Sequence, residues 1–324
     1  SPEGELYEVG SRGFDGPGLD LLALLHGSEG MLGIVVEVTV QLLPIPKNIA
    51  VVLAAFNSVS EAAGTVNAII SQGILPAGLE MMDRLAIKAA EAFVNVGYPL
   101  DAEGLLICEL DGTDAEVQHQ IEKLRLILDK NNAIQVRVAT DAAERMQLWL
   151  GRKAAFPAVG RLAPDYYCMD GTIPRSELAA VLAQITKFSE QHGLDVANVF
   201  HAGDGNLHPL ILYDANKAGE IERAEAFGAD ILNLCIEVGG TITGEHGVGV
   251  EKIDQMCIQF TPEELELFHG VKSAFDESRI LNPGKAVPTL SRCAEFGAMH
   301  VHTEGSQQTH VGLNAQKYSD LERF

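Results

Sequence analysis

The pair Asp204-Gly205 stands between two apolar runs, residues 196–200 and 207–213. An Asp-Gly pair in that setting is a strong hairpin signal, because both residues tolerate the left-handed backbone of a tight turn. A chain that commits to a hairpin there carries antiparallel strands. Further strand-like runs fall at 33–40, 49–56, 104–110 and 134–139, each rich in β-branched or other apolar residues. Helices are expected at 19–25, 60–72, 141–154 and 218–237. Two more open on capping boxes, Thr113 with Glu116 and Thr261 with Glu264. In the first of these, Val117, Ile121, Leu124 and Leu128 share one face. Another runs from Pro174, suited to the first helical position, to His192, with Gly193 as its stop. No GxGxxG follows a strand and no phosphate-loop motif occurs. The expected class is therefore α+β, a mostly antiparallel sheet with helices on one side.

Prolines 44 and 46 end the first strand-like run, and this places a boundary after residue 47. The segment before it is loop-rich, with Gly10, Gly13, Gly16, Pro17 and Gly18 close together. The last stretch is polar and reads as a loose tail. The chain opens with neither an initiating Met nor a basic-then-apolar leader, so it is expected to be part of something longer.

Of 324 residues, 45 are acidic and 23 basic, a net charge of −22. Such a chain repels phosphate backbones, which excludes nucleic-acid binding as its main role. Anionic lipid surfaces are disfavoured for the same reason. No apolar run is long enough to cross a membrane. The five cysteines, Cys108, Cys168, Cys235, Cys257 and Cys293, form no CxxC pair. They read as buried or idle thiols in a reducing compartment, with no disulfide framework.

Two clusters carry chemistry. With Asp204-Gly205 as the central turn residues, His201 faces His208 across the hairpin, close enough for both imidazoles to share a metal ion. Two solvated turn histidines are the plain alternative. The second cluster runs from Gly239 to Gly249, where five glycines let the backbone approach a ligand closely. Glu245 and His246 stand in its middle. The carboxylate could complete a two-His, one-carboxylate site, and the imidazole would be free for proton transfer. Arg152, at the expected end of a helix beside Trp149, is a natural holder of a carboxylate or an ordinary surface cation.

Taken with other segments, these clusters resemble the FAD-linked oxidases of the vanillyl-alcohol-oxidase type, in the branch that oxidises glycolate and D-lactate. Residues 27–35, GSEGMLGIV, resemble the last motif of the family's FAD-binding domain. Residues 201–208, 244–249 and 282–285 resemble the signatures of its C-terminal half, and residues 293–300 resemble the tail of its glycolate-oxidising members.

The resemblance implies a C-terminal cap domain with ferredoxin-like elements plus the C-terminal edge of an FAD-binding domain. Residues 1–47 would be the remnant of the flavin domain, 48–275 the substrate domain, and 276–324 a segment returning toward the flavin domain. His201, His208 and Glu245 would hold a divalent metal, Zn, Mn or Fe. His246 would act as base and Arg152 would hold the substrate carboxylate. Glu29, Gly30, Gly33, Ile34 and Asn282 would approach FAD. The implied reaction is oxidation of a small D-2-hydroxy acid to the 2-oxo acid. The implied partners are a second flavin-domain subunit and an iron–sulfur subunit, in the cytoplasm and peripheral at the inner membrane through those subunits.

Two positions depart from the family's dicarboxylate-oxidising members. Cys168 replaces a lysine and Leu210 an asparagine, which favours a short monocarboxylate. The loop that grips the FAD pyrophosphate has no counterpart here, so catalysis is expected to need a further flavin-binding half. A metal-dependent hydrolase without an HExxH motif, or a non-catalytic docking module, are the alternative readings.

Overall fold

The computed structural model describes residues 1–11, 13, 18–289, 292 and 293. The expected tail and the 294–300 motif lie outside the described residues, as do Gly16 and Pro17. The chain divides into two units, one of residues up to 42 together with those from 246 on, the other Leu43–Glu245.

The first unit begins with a short helix, α1 (Leu21–Leu25), capped by Asp20. The strand expected at 33–40 does not form. Those residues have no regular structure and no ladder partner among the described residues, and Ile34, Val35, Val36, Val38 and Val40 are all exposed. The composition reads correctly as strand-prone, but a strand needs a neighbour's hydrogen bonds to persist.

The second unit is built on one antiparallel sheet. Its strands and helices follow in the order β1 (Asn48–Phe56), α2 (Val59–Ser71), β2 (Gly78–Asp83), α3 (Arg84–Val94), β3 (Gly104–Gly112), α4 (Asp114–Lys130), β4 (Gln135–Val138), α5 (Ala142–Val159), β5 (Asp165–Cys168), α6 (Leu178–His192), β6 (Val196–Phe200), β7 (Pro209–Tyr213) and α7 (Glu220–Glu237). The strand order is β4-β1-β3-β2-β6-β7-β5, and every pairing is antiparallel. The expected class holds. The helices, however, cover both faces. Val51, Leu53 and Ala55 of β1 join a core with α3 and α5. Val52, Ala54 and Phe56, of opposite parity, are equally buried. On that face α2 crosses β3 so closely that a Cβ on Gly104 would lie 2.9 Å from Ala62. A continuous apolar run such as IAVVLAAF marks a strand buried on both sides.

The Thr113–Glu116 capping box forms at the start of α4. Gly193 ends α6 with φ 62, as a left-handed stop should. Pro174 lies ahead of a single 3-10 turn, Arg175–Glu177, before α6 begins.

Back in the first unit, α8 (Ile253–Gln259) and α9 (Pro262–Phe275) follow, the latter opened by the Thr261–Glu264 capping box. Lys272 of α9 donates to the carbonyls of Met31 and Leu281, both at 2.7 Å, and to Asp276 at 2.5 Å. These bonds tie three separate segments together. The expectation of five free thiols is overturned: Cys257 and Cys293 form a disulfide, with Cα atoms 5.3 Å apart. Their separation of 36 residues gives no spacing signal. Only the fold brings them together.

Candidate functional site

The two chemical clusters meet through a third segment. Residues 169–173 run between them as a pinned strip. Leu207 donates to the carbonyl of Gly171 at 2.9 Å and Ile173 to that of Gly205 at 3.0 Å. On the other side, Thr172 and Thr241 exchange backbone hydrogen bonds at 2.9 and 3.0 Å. A Cβ on Gly240 would lie only 1.8 Å from the Thr172 carbonyl oxygen, so this approach demands glycine.

The hairpin differs in register from the expected one. Asn198 pairs with Pro209, and His201 bridges Asn206. The loop is four residues, Ala202 to Gly205. The Asp204 amide closes it on the His201 carbonyl at 3.1 Å, and Gly205 takes φ 77. Asp204-Gly205 is thus the second half of a longer loop, with glycine at the left-handed position. His201 and His208 do not face each other directly. They are diagonal neighbours on one face of the sheet, with ring centroids 5.1 Å apart.

Around them sits a set of donors. His208 is almost fully buried, edge-on to Phe156 of α5. Its Nε2 lies 3.2 Å from Glu245 Oε1 and 3.5 Å from Asp170 Oδ1. The Nε2 of His201 lies 3.5 Å from the same Glu245 oxygen. Donors on Asp170, His208 and Glu245 fall within 4.8 Å of one another. Two ligands bound at ~2.1 Å to a tetrahedral ion stand about 3.4 Å apart, so these separations suit a divalent metal. The Oδ1 of Asn206, buried and without a hydrogen-bond partner, adds a further oxygen at the same cleft. The cleft, about 310 Å³ and open, is lined by Thr172, His201, Asp204, Asn206, Gly244 and Glu245.

Asp170 and Glu80 are the residues sequence reading missed. Asp170, fully buried, accepts from Thr243 Oγ1 at 2.7 Å and from the amides of Gly244 and Glu245. It thereby fixes the loop that carries Glu245. Glu80 of β2 accepts from Arg152 Nε at 2.8 Å and contacts His201 Nδ1 at 2.9 Å. That hydrogen bond raises the pKa of His201 above its ordinary value, against its partial burial. Arg152 is neither at a helix end nor on the surface. It lies inside α5, buried, because the helix continues through Pro157.

Cys168 stands opposite Leu210 in the β5–β7 ladder. Leu210 belongs to the apolar core and Cys168 packs against it. The Cys168–Leu210 position is therefore apolar.

In the first unit, Glu29 and Gly30 both take positive φ, 52 and 70. The Glu29 carboxylate accepts from the amides of Val248 at 2.7 Å and Gly249 at 2.8 Å. Asn282 donates to the Glu29 carbonyl. Three of the residues expected at the flavin, Glu29, Gly30 and Asn282, therefore meet. Gly33 and Ile34 follow on the 33–40 stretch, Ile34 exposed. Gly33 is half-buried, and the Glu29 side chain is committed to the glycine loop. His246 is exposed, follows Glu245 directly in the chain and is the first residue of this unit's second segment.

Residues 45–286 match the family described as FAD linked oxidases, C-terminal domain. The glycolate oxidase subunit GlcD of Escherichia coli strain K12 is 61% identical over 300 residues, which cover 93% of this chain and 60% of that protein. The mitochondrial D-lactate dehydrogenase [cytochrome] of Arabidopsis thaliana is 31% identical, over 89% of this chain and 51% of that protein. The chain thus spans less than two thirds of these curated relatives. Among solved structures, substrate-bound p-cresol methylhydroxylase matches with a TM-score of 0.58 at 16% identity, covering 77% of this chain and 54% of that one. At that identity the likeness concerns the fold.

Proposed function

From the premise that this chain belongs to the FAD-linked oxidases, through their C-terminal domain, we propose that it supplies the substrate- and metal-binding half of a 2-hydroxy-acid oxidase. The substrate class is a small D-2-hydroxy acid, glycolate or D-lactate, converted to the 2-oxo acid. The names of the two curated relatives support that class. The observation that carries the reading is the set of donor distances of 3.2 to 3.5 Å joining His201, His208, Glu245 and Asp170.

In this reading His201, His208 and Glu245 hold a divalent ion, Zn, Mn or Fe, with Asp170 within reach as a further oxygen. The ion supplies Lewis acidity and FAD a two-electron acceptor for the α-hydrogen as hydride. Arg152 anchors the substrate carboxylate while keeping its tie to Glu80. His246 takes the hydroxyl proton on its imidazole. The apolar Cys168–Leu210 position offers nothing to a second carboxylate, so it discriminates against dicarboxylates. Glu29, Gly30, Gly33, Ile34 and Asn282 shape the edge that meets the flavin. The remaining flavin-binding part, a second flavin-domain subunit and an iron–sulfur subunit complete the enzyme. It works in the cytoplasm, held at the inner membrane through those partners. No described helix is long and apolar enough to cross a membrane.

The test is calorimetric titration of glycolate and D-lactate into the untagged chain, with and without Mn²⁺. Binding that needs the ion and is lost in His208→Ala supports the reading. Equal binding with and without the ion overturns it.

A further inference from the structure

Glu80 sits in β2, a strand otherwise composed of Gly, Leu, Met and Asp and flanked on both sides by other strands. Its side chain is only 9% exposed. A buried carboxylate is costly unless fully partnered, and core packing alone would place an apolar residue there. Glu80 has two partners, one per oxygen. Oε2 takes the Arg152 Nε hydrogen bond at 2.8 Å, and Arg152 Nη2 lies at the same distance without an aligned hydrogen bond of its own. Oε1 lies 2.9 Å from His201 Nδ1.

An ionised carboxylate only accepts hydrogen bonds. In neutral His201 the ring proton is therefore drawn to Nδ1, and Nε2 is left with its lone pair. That lone pair lies 3.5 Å from Glu245 Oε1, another acceptor. A divalent ion placed between them would take both as ligands.

We propose that Glu80 is a positioning residue that sets the tautomer of His201, presenting Nε2 as a metal ligand, and that the same carboxylate orients Arg152 toward the substrate. This rests on the metal reading given above. Glu80 thus links the carboxylate anchor to the metal ligand through a single side chain. A carboxylate behind a ligating imidazole both fixes the ring and raises its basicity, and its loss typically costs about 10- to 100-fold in metal affinity.

Glu80→Gln separates this role from a packing role. The glutamine side chain keeps the volume but has one acceptor and one amide donor. If Arg152 keeps the acceptor, the amide faces Nδ1 and drives the ring proton to Nε2. The experiment uses the untagged, metal-free chain labelled with ¹⁵N-histidine, at mildly alkaline pH, followed by Mn²⁺ titration. In the wild type the His201 resonances should report a proton on Nδ1. Glu80→Gln should shift the population toward Nε2–H and weaken Mn²⁺ binding by about 10- to 100-fold, with the melting transition retained. Glu80→Asp should recover part of the affinity.

A wild-type His201 with its proton on Nε2 overturns the proposal, and this holds even if the glutamine variant fails to fold. A folded Glu80→Gln with unchanged tautomer and unchanged Mn²⁺ affinity also overturns it. A wild type that binds no Mn²⁺ overturns the metal reading itself, and with it the purpose assigned to Glu80.

Discussion

Both carboxylate oxygens of Asp170 accept from the amide of Glu245, each at 3.2 Å. The acid that approaches the buried His208 is thus held by a second acid that has no exposure at all. Asp170→Asn replaces one acceptor oxygen with a donor facing Thr243, Gly244 and Glu245. It should lower stability by about 2 kcal/mol, the usual cost of stranding buried donors. Because the Glu245 loop loosens, Mn²⁺ binding should weaken in the same variant. Thermal melting and metal titration on one preparation check both effects. A variant that melts lower but binds Mn²⁺ as tightly as wild type would show that the Asp170 brace on the Glu245 loop does not control metal binding.

Gly240 provides a steric test of how the two clusters are joined. An alanine there would press its Cβ on the Thr172 carbonyl, a backbone atom that cannot swing aside. Gly240→Ala should cost about 3 kcal/mol or more and disturb the cleft. Gly64, inside α2 and with nothing within 4 Å of where a Cβ would stand, is the control. Gly64→Ala should be neutral or stabilising by up to about 1 kcal/mol. Chemical denaturation of the two variants side by side decides. Equal stabilities would mean that residues 171–173 are not pinned against the 240–244 loop.

What was legible in the sequence was local. The capping boxes at Thr113 and Thr261 declare themselves within four residues, and both form. The left-handed stop at Gly193 is equally local. The hairpin was legible in kind but not in register. The loop length is set by Gly203 donating to Leu79 and Arg175 donating to Gly203, contacts from distant strands and turns. The β2–α3 junction was hidden because GLEMMDRLAIKAAEAFV has no break residue. The strand stops at Asp83, which caps α3 while its second oxygen holds Asn198 from β6. Glu80 and Asp170 escaped for the same reason. A lone acid in an apolar run says nothing until its partners arrive from elsewhere in the chain. The 33–40 segment fails the other way, since its pattern is strong but a ladder also needs a partner.

The disulfide makes a chemical count available. Under denaturing conditions without reductant, alkylation should label Cys108, Cys168 and Cys235 and spare Cys257 and Cys293. After reduction all five should react. Closing a loop of this length is worth about 4 kcal/mol, so reduction should lower the melting temperature. Mn²⁺ binding should persist, because neither cysteine lines the His201 cleft. Five labelled thiols before reduction would remove the bridge.

Asp83 gives the fold a pH dependence of definite sign. Its Oδ1 accepts from the Ala86 amide at 2.9 Å, and its Oδ2 from the amide and side chain of Asn198, both at 2.8 Å. Burial dominates over these bonds and pushes its pKa up from 3.8 to about 6. Between those values the native state holds a proton that the unfolded chain has released. Stability contributed by this group is therefore fullest at acid pH and falls as pH rises through 6. Asp83→Asn cannot titrate, and its amide must face a donor, either the Ala86 amide or those of Asn198. It should be less stable than wild type at neutral pH, and the gap should widen on going from about pH 7 to about pH 5. The full difference across the titration corresponds to roughly 3 kcal/mol. Urea denaturation of both proteins across that range checks it. A gap that stays constant or narrows would mean that Asp83 ionises as it does in the unfolded chain.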